Sequence, residues 1–199
     1  MSRSRLGKSL LYAVLIVAAT VLLVALDPYL MAAYRSVAPH SRAVDALCNF
    51  ALHLLAQPVI LVGILLYVAL IRVERLRRFS ILAGTALTQG LLVSFLKKLF
   101  SRVRPSDLPH PGAFLGPQWH NEQASFPGGH AAAAFALAAV FSAWHPRGRW
   151  AFYIGAALIS LTRIQLNRHY FGDSFIGAWL GYWCAQCFLV YLGRPRPAS

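Results

Sequence analysis

Residues 9–26 read SLLYAVLIVAATVLLVAL, eighteen positions without a charge. A helix needs about 20 apolar residues, range roughly 17–25, to cross the hydrocarbon of a bilayer. This run is long enough to span, and it sets the reading of the rest. Uncharged runs of comparable or greater length recur at 46–71 (where Pro58 and Gly63 are expected to kink the helix), 79–96 and 174–193. Two shorter candidates lie at 127–144 and 150–162. The thirteen residues of 150–162 are too short for a straight crossing. The fifth helix is therefore expected to run on through Arg163 toward Asn167. That places a guanidinium at or near membrane depth, where an ionisable side chain points to a functional site. The expected fold is all-α: a polytopic membrane protein with six transmembrane helices in one bundle. A single domain over 1–199 is expected, with no separate soluble unit.

Composition agrees. Hydrophobic residues make up 58% of the 199 positions and charged ones 13%, against roughly 45–50% and about 25% in an ordinary globular domain. Mean hydropathy is +0.55. These values exclude a disordered chain and a nucleic-acid-binding domain built on solvated basic faces. Cys48, Cys184 and Cys187 all lie inside apolar runs, an odd set that does not read as a disulfide framework. Arg3, Arg5 and Lys8 precede the first run like the basic region of a signal peptide. The unbroken length through Leu26 favours an uncleaved anchor.

The net charge of +13, from 19 Lys and Arg against 6 Asp and Glu, is partly topological. With six spans, one side carries both termini and eleven basic residues; the other carries eight, with five of the six acids. The richer side is expected to be cytoplasmic. Eight basic residues on the outer face then need another reason, and three segments there supply one.

Lys97 and Arg104 are seven apart and fall on one helical face if the third helix continues to Pro105. Two cations so placed suit an anion with several oxygens. Pro127-Gly128-Gly129-His130 opens the fourth helix, and free N–H groups at a helix start that lacks side chains form an anion site. Arg163-x5-His169-x3-Asp173 joins the fifth and sixth helices. The carboxylate of Asp173 is within reach of one imidazole nitrogen of His169, leaving the other free, which is the layout of an oriented nucleophile or base. Carboxylates are too few for Mg²⁺ or Ca²⁺, and no His/Cys spacing suits zinc. Phosphate chemistry without a metal or other cofactor is the expectation.

Lys97-x6-Arg104-Pro105, Pro127-Gly128-Gly129-His130 and Thr162-Arg163-x5-His169-x3-Asp173 together resemble the three signature motifs of the type 2 phosphatidic acid phosphatases, the lipid-phosphatase branch of a superfamily shared with vanadium haloperoxidases. The resemblance covers the motif-bearing core 97–181. It implies that His169 attacks phosphorus, that Asp173 orients it, and that His130 protonates the leaving oxygen and later activates water. It also implies that Lys97, Arg104, Arg163 and the backbone N–H groups of Gly128 and Gly129 bind the phosphoryl oxygens. Gly128 and Thr162 both stand where the family usually has serine. The threonine keeps a hydroxyl; Gly128 loses one. Restoring serine at 128 is expected to raise catalytic efficiency if the backbone there is an ordinary helix start.

The implied activity is a lipid phosphatase of the bacterial cytoplasmic membrane, with its site facing the periplasm and its termini in the cytoplasm. Expected partners are the bilayer and a phospholipid, polyprenyl or lipid A phosphate substrate; no nucleic acid and no obligate protein partner is expected. A phosphotransferase using the same site, and a non-catalytic transporter or scaffold, are the alternatives. The 21-residue connection 105–125, with His110, Trp119 and His120, is expected to be a lid, a binding loop or disorder.

Overall fold

The computed structural model describes residues 3–38, 41–54, 75–107, 109–119 and 124–192. Among them the chain forms helices α1 (Arg3–Val37), α2 (Arg42–Leu54), α3 (Arg75–Phe100), α4 (Gly129–Trp144), α5 (Arg149–Gln165) and α6 (Phe171–Tyr191), with a 3-10 turn at Pro146–Gly148 between α4 and α5. No strand is present among the described residues, as the all-α reading expects. Five of them, α1 and α3 to α6, overlie five of the expected spans, and α2 covers only the start of the run 46–71. Of the run 46–71 only the part to Leu54 is described, and Pro58 and Gly63 lie outside the described residues.

Helix α1 is 35 residues long and continues through Asp27 and Pro28, where the apolar run was expected to stop. Pro28 withdraws its N–H from the ladder and its ring crowds the Val24 carbonyl, yet the helix continues, and Asp27 is fully buried against other elements. A buried, partnered carboxylate does not end a helix as a solvated one would. Leu11, Val14, Val17, Val21 and Leu22 of α1 are each more than half exposed. An apolar stripe of that length would be a liability in water and suits contact with lipid. The segments Leu11–Val37 and Leu76–Phe100 are long and apolar enough to cross a membrane.

The centre of the bundle is α4, which packs on α3, α5 and α6. Its buried face is built from alanine: Ala131, Ala132, Ala136, Ala138 and Ala139. Opposite it, α6 presents Gly177 and Gly181, four apart. A Cβ on Gly181 would collide with the Ala132 carbonyl oxygen, and one on Gly177 with that of Gly128. Small residues thus let the two backbones meet directly, as in close helix pairs within membranes. Ile81 and Leu82 of α3, Ala139 and Val140 of α4, and Ala185 and Leu189 of α6 fill the core at one end. At the other end, Met31 of α1, Ile164 of α5 and Tyr170 pack together with Tyr34 and Phe171.

Two local expectations change. Helix α3 stops at Phe100, and Ser101 takes a left-handed backbone with φ 42. Lys97 and Arg104 are therefore not stacked on one helix; a sharp turn brings the second cation round. The connection after α3 is folded: Val103 and Ala113, Gly112 and Val103, and Ser125 and Arg102 pair through their backbones at 2.8–3.1 Å. Phe100, Phe114 and Phe126 meet edge to face beneath it. Gly112 and Gly116, at φ 85 and 76, make the turns. The described part of the connection is a pinned hairpin; His120 lies outside the described residues.

Candidate active site

The helix ends at residues 37, 100 and 165 and the helix starts at 129 and 171 share one end of the bundle, and all three motifs gather there. Helix α5 does run through Arg163, ending at Gln165, as its short apolar length requires. Lys97, in the last turn of α3, donates from Nζ to the Ala124 carbonyl at 2.6 Å, and its Cε lies 3.9 Å from where a Cβ on Gly129 would stand. The cation thus sits against the N-terminus of α4. His130, on the first turn of α4, is exposed and lies in the electrostatic field of Arg163, His169, Lys97 and Arg104. The sequence expectation that these residues converge is met by the fold.

The amide groups divide differently. The Gly128 N–H donates to the Asp173 carbonyl at 2.8 Å, so it is not the free donor that the motif suggests. The α4 start offers the N–H groups of Gly129 and His130 instead, since the first amides of a helix have no intrahelical acceptor. Thr162 turns its hydroxyl back to the Ile159 carbonyl at 2.7 Å, away from an anion.

His169 is 3% exposed and Asp173 is fully buried. Asp173 sits in the first turn of α6, where its Oδ2 accepts the Tyr170 N–H at 2.9 Å. The same oxygen lies 3.8 Å from Nδ1 of His169, too long for a hydrogen bond. Catalytic hydrogen bonds are often long before substrate binds and tighten in the complex. Nδ1 of His169, Nε of Arg104 and Nε of Arg163 are buried atoms without a hydrogen-bond partner. The two guanidinium nitrogens form an unsatisfied basic cradle, while Nδ1 of His169 faces Asp173. Burial pushes the His169 imidazole below its ordinary range, against the pull of Asp173, and the cations Lys97 and Arg163 push it the same way as burial. That shift favours the neutral imidazole at neutral pH. Burial and the neighbouring Arg168 also lower Arg104, whose guanidinium stays charged in any case.

Three residues here escape the motif reading: Asp27, Arg102 and Tyr170. Arg102 Nη1 donates to Asp27 Oδ2 at 2.7 Å and to Asp173 Oδ1 at 2.6 Å. Its guanidinium lies 4.1 Å from the centroid of the Tyr170 ring. A signal for Asp27 exists in the sequence, a lone acid at the end of an eighteen-residue uncharged run. The rule that marks Arg163 as functional applies equally to it.

The PAP2 superfamily sequence profile matches residues 78–197. Two lipid A 1-phosphatases, from Rhizobium johnstonii and Rhizobium etli, are each 34% identical over 112 residues, 55% of this chain and 46% and 48% of theirs. This chain thus spans about half the length of those relatives. The crystal structure of Aquifex aeolicus LpxE superposes with a TM-score of 0.65 at 26% identity, covering 83% of this chain and 96% of that one. A transmembrane PAP2 type phosphatidylglycerolphosphate phosphatase from Bacillus subtilis shares the fold at 19% identity, with a TM-score of 0.56 over 92% of this chain and 98% of that one. Motifs, fold and profile agree, and the chain, a helical membrane protein, belongs to the PAP2 superfamily.

Proposed function

We propose that the protein is a metal-independent lipid phosphatase that hydrolyses a lipid A-type phosphate through a phosphohistidine. The observation that carries this reading is the meeting of His130, His169 and three cations at one helix start. In the first step the free imidazole nitrogen of His169 bonds to phosphorus while the bond from phosphorus to the lipid oxygen breaks. His130 gives that oxygen its proton. In the second step His130 takes a proton from water, the water oxygen bonds to phosphorus, and the N–P bond breaks to release phosphate. Lys97, Arg104, Arg163 and the Gly129 and His130 amides stabilise charge on the phosphoryl oxygens, which is most of what phosphoryl transfer asks of a protein. Cations in this number do for the anion what a bound divalent ion does elsewhere.

Lipid A phosphate is placed first among phosphatidate, phosphatidylglycerophosphate and undecaprenyl pyrophosphate because the two Rhizobium relatives carry that activity in their names. A groove of about 530 Å³ between α4, α5 and α6, lined by Phe135, Tyr153, Ile164, Phe171, Phe175 and Trp179, supports a substrate with acyl chains. Purified protein in detergent with excess chelator is expected to release phosphate from the lipid A substrate faster than from the other three. Turnover that requires a divalent metal, or release from none of the four lipids, overturns the reading.

The six-span topology, the periplasmic face and the cytoplasmic termini rest on the charge distribution and belong to the same proposal. His110, exposed on the hairpin, gives the test. In a background without Cys48, Cys184 and Cys187, His110→Cys is expected to react with a membrane-impermeant maleimide in intact spheroplasts. Labelling that appears only after lysis reverses the orientation.

A further inference from the structure

Arg102, Asp27 and Asp173 form a buried ionic triad beneath the site. Their side chains are 3%, 0% and 0% exposed, and one nitrogen of Arg102 serves both carboxylates at 2.7 and 2.6 Å. We propose that Arg102, anchored by Asp27, is a positioning residue for the phosphatase reaction, fixing the Asp173 carboxylate and through it the imidazole of His169. The inference rests on His169 being the nucleophile. It draws α1 into the catalytic apparatus, although Asp27 lies outside the residues 78–197 that carry the family match.

The geometry leaves Arg102 little freedom. Its guanidinium lies over the rings of Tyr170 at 4.1 Å and Phe114 at 5.1 Å, so the α6 start and the hairpin both hold it. Nε reaches the Gly112 carbonyl at 3.4 Å. Asp27 has a second bond, from the Gly172 N–H to Oδ1 at 2.9 Å, which ties α1 to the first turn of α6. Asp173 is thus held at both oxygens, by Arg102 and by the Tyr170 amide. Its remaining neighbour is Nδ1 of His169.

Burying three charges costs more than an apolar replacement would in many proteins, so the triad is weak evidence for a role in stability. A carboxylate that must orient an imidazole needs a fixed rotamer, and a planar, stacked guanidinium supplies one. Arg102 is itself buried and reaches no substrate; it acts through Asp173.

That separation is testable with Arg102→Met, Asp173→Asn and the double variant. Arg102→Met is expected to lower kcat at least tenfold while KM stays within about threefold. In the Asp173→Asn background the same change is expected to cost less than threefold, because residues acting through one another are not additive. Equal losses in both backgrounds overturn the proposal. Should Arg102→Met fail to fold, the near-isosteric Asp27→Asn decides. Removing the Asp27 charge leaves Arg102 to Asp173 alone and weakens the hold of the carboxylates on the His169 proton. The other groups facing His169, namely Lys97 from α3, Arg163 from α5 and His130 from α4, are untouched. The acid limb of kcat/KM is expected to move to lower pH by about 0.3 unit or more. An unmoved limb in a folded, active variant overturns the proposal. A wild-type protein inactive on every lipid phosphate instead counts against the functional reading itself.

Discussion

Replacing His169 by alanine is expected to remove lipid phosphate turnover, by roughly 10⁴-fold or more, while Asp173→Asn leaves a measurable remainder. The two residues differ in what they contribute. In the proposed mechanism His169 forms the bond to phosphorus, and without it that covalent route is closed to the neighbouring groups. In the same mechanism Asp173, 3.8 Å from Nδ1, orients the imidazole, and an amide of the same size keeps one acceptor while losing the charge that favours the imidazolium-like transition state. Wild-type protein quenched with alkali during turnover of ³²P-labelled substrate is expected to carry label on histidine, and His169→Ala is expected to carry none. The pH profile gives an independent check. Because burial holds the imidazole below its ordinary value of 6.5, the neutral, attacking form persists as pH falls through that value. The acid limb of kcat/KM is thus expected below about 6.5. Near-normal turnover by His169→Ala would end the phosphohistidine reading.

The residues that gather at the candidate site are legible in the sequence because their chemistry is local. A helix start with two glycines and a histidine, or a histidine four residues before an aspartate, fixes geometry within a turn of backbone. What could not be read was set by contacts between distant segments. By apolar length Asp27 ends a span, because a charge in an apolar run reads as a boundary; only the partner 75 residues away in Arg102 turns it into an interior residue. The end of α3 is another case. Lys97 and Arg104 fit a continuous helix by spacing alone, but the chain turns at Ser101 so that Ser101, Arg102 and Val103 can pair with the hairpin. In the sequence Arg102 is only one of many basic residues, since nothing in its neighbours announces two buried carboxylates. The span count rests on apolar length, and residues 55–74, where most of the second run falls, lie outside the described residues.

Gly128→Ser is expected to lower activity by roughly a hundredfold, the reverse of what the motif alone suggests. Two arguments favour serine. Its hydroxyl would add a hydrogen bond to an anionic oxygen, and its Cβ would restrict a chain that glycine leaves free. Both require an ordinary backbone, and Gly128 has one, with φ −71 and ψ 102. The space around it decides otherwise. A Cβ at 128 would lie 2.9 Å from the Asp173 carbonyl oxygen, 3.3 Å from its carbon and 3.3 Å from Cα of Ser174. These are backbone atoms of the first turn of α6 and cannot swing aside as a flexible side chain would. The Gly128 N–H also donates to that same carbonyl, so relieving the clash means stretching the bond. Overpacking of this kind costs about 1–3 kcal/mol, and a displacement of about 1 Å near reacting groups can cost on the order of 10²-fold in rate. The strain falls on Asp173, the group proposed to aim the nucleophile, so kcat is expected to drop more than KM rises. Gly128→Ala carries the same Cβ without the hydroxyl and is expected to lose about as much, with both variants melting below the wild type in detergent. If serine matches or exceeds glycine while alanine fails, the hydroxyl outweighs the crowding and α6 yields more readily than its packing against α4 implies.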